Sequence, residues 1–486
     1  MPCTTILVGK KASYDGSTII ARNDDGALEP KRLVVIGKDK QGSKHKCVIS
    51  HLEIELPKHN LRYTSVPGVE TKKAGLWPAC GINEKNVAMT ATETISSNPL
   101  VMGADPLVEY EKAKSKKEKD KIGGFGEADL LTIVLPYIST AREGVIRTGE
   151  LLEKYGTYEM NGMAFADENE IWWLETIGGH HFIAMRVPDD QVVIAPNWFG
   201  MDHFDLKDAF GKQENYICSK DLKKFIKDNH LNTCNDGKFN PRVIFGSHSD
   251  QDHLYNTPRT WYMLRYLNPT RYNWSKGNPD FTPVSDNMPL AVVPERKVTI
   301  EDIKYLLSSH YQDTEYDPYG KAAEAGKYRS IGVPNSDDSG ILQIRPYMPD
   351  KLKGVEWMTL GGATFTASIP LYANIDKFPA YLNNTTMTVS TDNYYWHSRL
   401  IAALTDAHYE KSVIFAERYQ ESVFNKGHQL LNEYDKKMME AKDYSLCEEA
   451  NQKIAEMAKK ESDKALNEIL KTASRSMKNV FIRGDH

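Results

Sequence analysis

The chain opens with MPCTTILVGKKASYDGSTIIARNDD (residues 1–25), and this stretch decides the fold. TTILVG is an apolar, β-branched run, and STIIAR repeats that character after the dipeptide Asp15-Gly16, a strong signal for a tight turn. We therefore predict a β-hairpin. It carries Cys3 at its free end and Arg22 on the returning strand.

The register of this hairpin decides which acidic side chain shares a face with Cys3. If the Asp15-Gly16 turn is a two-residue loop, Cys3 pairs across from Leu28, so that Asp24 lies on its face and Asp25 on the other. A bulge or a longer turn reverses the two carboxylates. The sequence leaves both arrangements open.

Later strands and helices come in blocks rather than in regular alternation. VAMTAT predicts a strand, and EADLLTIVLPYI predicts a buried helix interrupted at Pro136. Thr140 and Glu143 form a capping-box pattern at the start of a second helix. Four apolar runs separated by turn signals predict an antiparallel meander over residues 161–197, and residues 391–470 have the spacing of long helices. This order favours an α+β fold of layered sheets.

Composition excludes several classes of partner. The net charge is −5 with 26% charged residues, which gives no basic surface for nucleic acid. No apolar stretch approaches the roughly 20 residues that span a bilayer, and the first 25 residues lack the pattern of a secretory signal. We expect a cytoplasmic protein without nucleic-acid or membrane partners. Apolar stripes on the C-terminal helices leave a homo-oligomer open.

The sequence predicts neither a metal nor a cofactor. The six cysteines are scattered and form no C-x-x-C pair. His180 and His181 are adjacent, so a strand would point them to opposite faces, and HSDQDH at 248–253 lacks the spacing of a metal motif. Neither a phosphate-binding loop nor G-x-G-x-x-G after a strand is present.

Cys3 differs from the other cysteines because of its position. At the N-terminus of a mature chain it would carry a thiol and an α-amine on one residue, which holds nucleophile and general base together. An α-amine titrates at about 7.7–8.0, so it can accept the thiol proton near neutral pH. Met1 and Pro2 have to be removed first, by self-cleavage or by a peptidase. Arg22 would stabilise the thiolate.

The opening stretch resembles that of the dipeptidase A family, cysteine-type N-terminal-nucleophile (Ntn) hydrolases related to the secernins. Four further blocks resemble the family in the same order: GINEKNVAMTATET, GEADLLTIVLPYISTAREGV, QDHLYNTPRTWYMLRYLNP and LQIRPYMPDKLKGVEWMTLGGATFTASIPLYANI. The resemblance extends to about residue 415. It implies a four-layer αββα sandwich of mostly antiparallel sheets over residues 1–390, with residues 391–486 as a helical region packed on this core.

The family is similar in turn to the bile salt hydrolase and penicillin V acylase group. Their openings share Cys, then Asp-Gly, five residues, Arg, two residues and Asp. By this resemblance Cys3 is the nucleophile, Arg22 is its electrostatic partner and Asp25 holds the liberated α-amine. Asp24 is a rival for that role and a candidate for contact with substrate.

Other site residues follow from the same resemblance or from their place in the chain. Asn197 stands where the related acylases have an oxyanion donor, and Arg259 resembles their second active-site arginine. Thr92 and Glu93 follow a predicted strand and are candidates to line the pocket. The Glu93 carboxylate would suit the free α-ammonium group of a dipeptide.

These features predict a thiol hydrolase that cleaves unblocked dipeptides, with the α-amine of Cys3 as general base. Two alternatives stay open. The same residues would serve an amidase or acylase that acts on a non-peptide amide. The fold would also serve a non-catalytic, secernin-like binding protein.

Overall fold

Two antiparallel sheets stacked face to face form the centre of the fold. The computed structural model describes residues 3–26, 28–235 and 238–477, without the side chains of residues 73, 74 and 91–93. Within these ranges the first sheet has strand order β14-β12-β1-β2-β15-β16-β17, and the second has order β13-β11-β10-β9-β8-β7. Two small sheets, β3-β6 and β4-β5, lie beside them.

The strands have the following bounds: β1 (Thr4–Val8), β2 (Thr18–Asp25), β3 (Val34–Ile36), β4 (Lys44–Lys46), β5 (Glu53–Glu55), β6 (Tyr63–Ser65), β7 (Cys80–Ile82), β8 (Ala88–Thr94), β9 (Asn161–Ala166), β10 (Ile171–Ile177), β11 (His181–Arg186), β12 (Val192–Ala195), β13 (Tyr216–Cys218), β14 (Ala291–Val292), β15 (Ser336–Ile344), β16 (Gly354–Leu360) and β17 (Ile369–Tyr372).

The helices have the following bounds: α1 (Thr71–Ala74), α2 (Pro99–Ala104), α3 (Glu127–Val134), α4 (Ala141–Tyr155), α5 (Leu206–Ala209), α6 (Leu222–Asp228), α7 (Pro241–Phe245), α8 (Asp252–Tyr255), α9 (Thr257–Leu267), α10 (Ile300–Leu307), α11 (Asp350–Lys353), α12 (Ala380–Asn383), α13 (Tyr394–Ala407), α14 (Tyr409–Ala441) and α15 (Cys447–Arg475).

Helices cover the outer face of each sheet. β2 packs against β8 and β9, and β15 against β7 and β8, which brings the inner faces of the two sheets together. α3 and α4 pack on the second sheet, while α10, α13, α14 and α15 pack on the first. The order helix, sheet, sheet, helix confirms the expected α+β sandwich.

The predicted hairpin forms, but its register differs from that of a two-residue turn. Residues 9–17 connect β1 to β2, and Thr4 pairs with Asn23, so the next pair along places Cys3 opposite Asp24 rather than Leu28. This shift of four residues preserves the face of every side chain, because strand side chains alternate with a period of two. The expectation that a longer turn reverses the two carboxylates is therefore wrong, and Cys3, Arg22 and Asp24 share a face.

The predicted meander is correct for three of its four strands. β9, β10 and β11 are consecutive antiparallel neighbours in the second sheet, but β12 leaves it and pairs with β1 in the first. Hydrophobic periodicity identifies a buried strand without specifying its partner, and VVIA is apolar on both faces. Because Thr5 pairs with Ala195, the last residue of β12, the bend that contains Asn197 follows at the end of β1 that carries Cys3.

The predicted helices occur where their sequence signals place them. α3 ends at Val134 and is followed by a 3-10 turn that contains Pro136. Thr140 caps α4 by accepting a bond from the Glu143 N–H, and α4 ends at Gly156, whose φ of 68° suits glycine.

The C-terminal region is helical, as expected. α14 and α15 pack against each other, and both contact β17. The boundary at residue 390 stays a prediction. None of the helices in the described ranges has the length and apolar character needed to cross a membrane.

Glu356 on β16 is a buried carboxyl group that makes stability depend on pH. Burial raises its pKa from an ordinary value of 4.5 to about 7. Thr64 Oγ1 donates to Oε1, and Oε2 has no hydrogen-bond partner among the described residues. Between these two pKa values the folded protein keeps the Glu356 proton and the unfolded chain loses it. The contribution of protonated Glu356 to the free energy of unfolding is therefore fully present below pH 4.5 and is lost as the pH rises through 7.

We predict that Glu356→Gln removes this pH-dependent loss of stability. The amide keeps an oxygen that accepts the hydrogen bond from Thr64, and it does not ionise. Relative to wild type, the free energy of unfolding should rise between pH 5 and 8, by on the order of 3 kcal/mol. Urea denaturation at several pH values measures this difference. Glu53→Gln on the exposed strand β5 is the control, and a difference that is constant with pH would contradict the prediction.

Candidate active site

Cys3 lies at the start of β1, in the middle of the first sheet. β2 flanks β1 on one side and β12 on the other; Asp24 follows Asn23, the partner of Thr4, and Asn197 lies two residues beyond Ala195, the end of β12. Directly opposite residues of antiparallel strands point to the same face. Strand register thus places Asp24 next to Cys3, whereas Asn197 lies in the bend that follows β12.

Arg22 connects the thiol to two carboxylates. Its Nη2 lies 3.0 Å from Cys3 Sγ, 3.1 Å from Asp24 Oδ1 and 2.6 Å from Glu127 Oε1. The Arg22 side chain is only 2% exposed, so its charge is only weakly screened by water. A guanidinium in this position stabilises a thiolate, which is the reactive form of cysteine.

Lys31 adds a second buried cation to this cluster. Its Nζ lies 2.9 Å from Asp24 Oδ2. Burial opposes ionisation of Asp24, but the charges of Lys31 and Arg22 outweigh it and the pKa of the Asp24 carboxyl is lowered. Asp24 therefore carries a full negative charge beside Cys3, where it can attract an ammonium group.

The structure does not bring Asp25 to the same face. Alternation along β2 points its side chain away from Arg22 and Asp24. The Asp25 carboxylate accepts hydrogen bonds from Ser336 Oγ and Arg329 Nη2, each at 2.5 Å. That Asp25 holds the α-amine stays a prediction, and in this geometry Asp24 is the carboxylate on the Cys3 face.

Arg259 joins Cys3 to Asn197 from α9. Its Nη1 donates to the carbonyl oxygen of Cys3, and its Nη2 donates to Asn197 Oδ1 at 2.8 Å. Asn256 Oδ1 accepts a second bond from Nη2, also at 2.8 Å. The side chain is fully buried, so these acceptors satisfy a guanidinium that has no access to water.

These contacts fix the orientation of the Asn197 amide. Because Arg259 donates to Oδ1, the Nδ2 amino group must point the other way, and it donates to the carbonyl oxygen of Thr94 at 2.9 Å. The amino group carries a second proton. A cavity of about 310 Å³ lies beside it, lined by polar residues that include Thr94, Asp252 and Asn256.

The side chains of Thr92 and Glu93 lie outside the described residues. The strand that carries them, β8, ends at Thr94, which contacts Asn197. Their strand therefore leads to the site, and their contact with substrate stays a prediction.

Sequence reasoning missed Glu127, Glu159 and Lys31. Glu127 is the first residue of α3, and its N–H donates to Glu159 Oε1 at 2.5 Å. Burial and the charge of Glu127 raise the pKa of Glu159 to about 7. Acidic residues in the first turn of a helix that is otherwise apolar were a usable signal for Glu127. Lys31 lies in a loop and offered none.

The expected divergence of His180 and His181 is wrong. Both Nδ1 atoms lie close to Asp105, at 2.9 and 2.7 Å. The reason is that β11 begins at His181, so His180 still belongs to the preceding turn and does not follow strand alternation.

Comparison with known proteins identifies the family. The model of peptidase family C69 matches residues 2–422. The chain belongs to peptidase family C69. It is therefore a hydrolytic enzyme, and the resemblance drawn from the sequence is confirmed.

Relatives of this C69 peptidase match along its whole length. A protein named dipeptidase from Bifidobacterium longum (strain NCC 2705) is 48% identical, with 100% of both chains covered. Dipeptidase A from Lactobacillus helveticus is 41% identical over 93% of each chain. Penicillin V acylase from Agrobacterium tumefaciens is 12% identical, covers 76% of this chain and 86% of its own, and has a TM-score of 0.31, too low to carry an argument.

For this C69 peptidase we predict that Arg22→Lys folds but reacts slowly. Lysine keeps the positive charge but cannot contact Cys3, Asp24 and Glu127 together. Loss of one charge-assisted hydrogen bond corresponds to a decrease in kcat/KM of roughly 10- to 100-fold. Peptide hydrolysis and thermal unfolding measure rate and fold. Arg418→Lys, on the exposed side of α14, is the control, and an Arg22→Lys enzyme with wild-type kcat/KM would contradict the assigned contact.

Proposed function

We propose that this chain is a dipeptidase whose nucleophile is Cys3 and whose general base is the α-amine of the same residue. The observation that supports it best is the position of the Cys3 thiol, 3.0 Å from a buried guanidinium, with Arg259 joining the Cys3 carbonyl oxygen to Asn197. The removal of Met1 and Pro2 is part of the proposal and lies outside the described residues.

In the first step the α-amine accepts the thiol proton, and the thiolate attacks the carbonyl carbon of the peptide bond. Arg22 stabilises the thiolate before the attack. Negative charge then develops on the carbonyl oxygen, and the Nδ2 amino group of Asn197 donates to it. Donors of this kind contribute about 3 to 4 kcal/mol to the lowering of the barrier.

In the second step the ammonium group of Cys3 gives its proton to the leaving amine, and the first amino acid departs. Water then attacks the thioester with the α-amine again as base, which releases the second amino acid and restores the thiol. Arg259 acts as a positioning residue, because it holds both the Cys3 carbonyl and the Asn197 amide. No step needs a cofactor.

The relatives are named dipeptidases, and the cavity suits a short substrate. Its volume of about 310 Å³ is at the lower limit for ligand pockets. Asp24 carries charge on the Cys3 face and Asp252 lines the cavity, so each can pair with the free ammonium group of a dipeptide. Glu93 stays a candidate for the same contact.

Three further expectations belong to the proposal. Composition supports a cytoplasmic protein and argues against nucleic-acid binding. The apolar stripes of α14 and α15 leave a homo-oligomer open. Residues 1–390 are proposed as the catalytic core and residues 391–486 as a helical region packed on it.

We predict that Cys3→Ala folds and loses hydrolysis of unblocked dipeptides by roughly 1000-fold or more, because no other group replaces the nucleophile. Release of free amino acids from a dipeptide panel measures the rate. Cys234→Ala, which alters a partly exposed cysteine far from this site in the sequence, should keep wild-type activity.

The same panel separates the alternatives. N-acetylated dipeptides and simple acyl amides are assayed beside the unblocked peptides. Cleavage of the blocked compounds alone would favour an amidase or acylase. A correctly processed wild-type protein inert to all of them would favour a binding role, and activity in Cys3→Ala would refute the assigned nucleophile.

A further inference from the structure

A cluster of three side chains that can bind a metal ion lies beside the first turn of α3. His45 and Cys47 come from the β4-β5 hairpin, and Asp129 comes from α3. His45 Nε2 lies 2.7 Å from Asp129 Oδ1, and the nitrogen, sulfur and carboxylate oxygen all lie within 4.8 Å of one another. These residues have no part in the proposed mechanism.

The cluster contains a carboxylate oxygen that is not satisfied. Asp129 is 2% exposed, and its Oδ2 is buried without a hydrogen-bond partner among the described residues. The adjacent Cys47 thiol is a weak donor. A buried carboxylate oxygen left in this state is unfavourable, and a cation would offset this.

The three donors match a particular class of ion. Imidazole nitrogen, thiolate sulfur and carboxylate oxygen are the ligands of Zn²⁺, which binds at about 2.0–2.3 Å in tetrahedral geometry. Hard ions such as Mg²⁺ and Ca²⁺ prefer oxygen ligands alone. Short rotations of His45 and Asp129 away from their mutual hydrogen bond would place both donors around a common centre.

We propose that His45, Cys47 and Asp129 form a binding site for Zn²⁺ or a similar divalent transition metal. The ion forms bonds to Nε2 of neutral His45, to Cys47 Sγ and to a carboxylate oxygen of Asp129. The S–H bond of Cys47 breaks and its proton passes to solvent. Thiolate and carboxylate together balance the two positive charges of the ion, and a fourth position remains for water.

Such an ion would act on the structure around the active site. Asp129 stands two residues after Glu127, whose carboxylate contacts Arg22. A metal bond from the β4-β5 hairpin to Asp129 would fix the turn of α3 that carries Glu127. The role that we assign to this ion is to hold the start of α3 in place. Binding of the ion can be measured without turnover of a substrate.

The test uses the full-length Cys3→Ala protein, which removes the proposed nucleophile as a competing thiol. Zn²⁺ and Co²⁺ are titrated after treatment with chelator. We expect one ion per chain, a thiolate-to-Co²⁺ charge-transfer absorption and a raised melting temperature with Zn²⁺. Cys47→Ser and Asp129→Asn should weaken binding at least about 100-fold, whereas Cys234→Ser should bind as the parent does.

His45→Gln covers the case in which a variant at the buried positions does not fold, since the His45 side chain keeps contact with solvent. Circular dichroism checks the fold of each protein. The absence of stoichiometric binding in the parent protein would overturn the proposal, as would unchanged binding in a folded His45→Gln or Cys47→Ser chain. Neither result bears on dipeptide hydrolysis, which is assayed separately.

Discussion

The structure depends on the burial of one positive charge, the guanidinium of Arg22. A buried charge is unfavourable by several kcal/mol unless it is paired and hydrogen-bonded. The acceptors here are the Cys3 thiol, Asp24 on the same strand and Glu127 at the start of α3. The ion pair with Glu127 connects the first sheet to the helices that pack on the second sheet. Because the Arg22 guanidinium needs acceptors, the Cys3 thiol lies in a polar cluster within an apolar core.

A second buried arginine holds the other side of Cys3. Arg259 contacts the backbone of Cys3 and the side chain of Asn197, so it holds the proposed nucleophile and the proposed oxyanion donor in place. The two arginines come from β2 and α9, elements far apart in the sequence. They meet at Cys3, beside the end of β12, the strand that pairs with β1 in the first sheet.

Local signals in the sequence account for much of this fold. The hairpin, the strand after residue 87, the cap at Thr140 and the long C-terminal helices all rest on patterns within a few residues. The pairing of strands that are far apart in the sequence could not be predicted from such local patterns. The loop of the first hairpin is longer than its Asp-Gly signal suggests, and because the register shifts by an even number of residues Asp24 lies on the Cys3 face, a choice that the sequence had left open.

The residues of the site likewise divide into those that the sequence predicts and those that only long-range contacts bring together. Cys3 and Arg22 were named from a family spacing pattern, and Asn197 and Arg259 from the resemblance to the acylases. The structure brings these four together. Glu127 and the cluster of His45, Cys47 and Asp129 depend on where α3 meets distant loops. Periodicity carries no information about such contacts.

The central claim is that thiol and general base belong to one residue, and N-terminal sequencing of active protein tests it most directly. Purified enzyme is assayed on unblocked dipeptides, and the same sample is sequenced and weighed by mass spectrometry. The account predicts a chain that begins at Cys3, with activity proportional to the processed fraction. Full activity in a chain that still carries Pro2 would contradict it, because the α-amine could not then serve as the base.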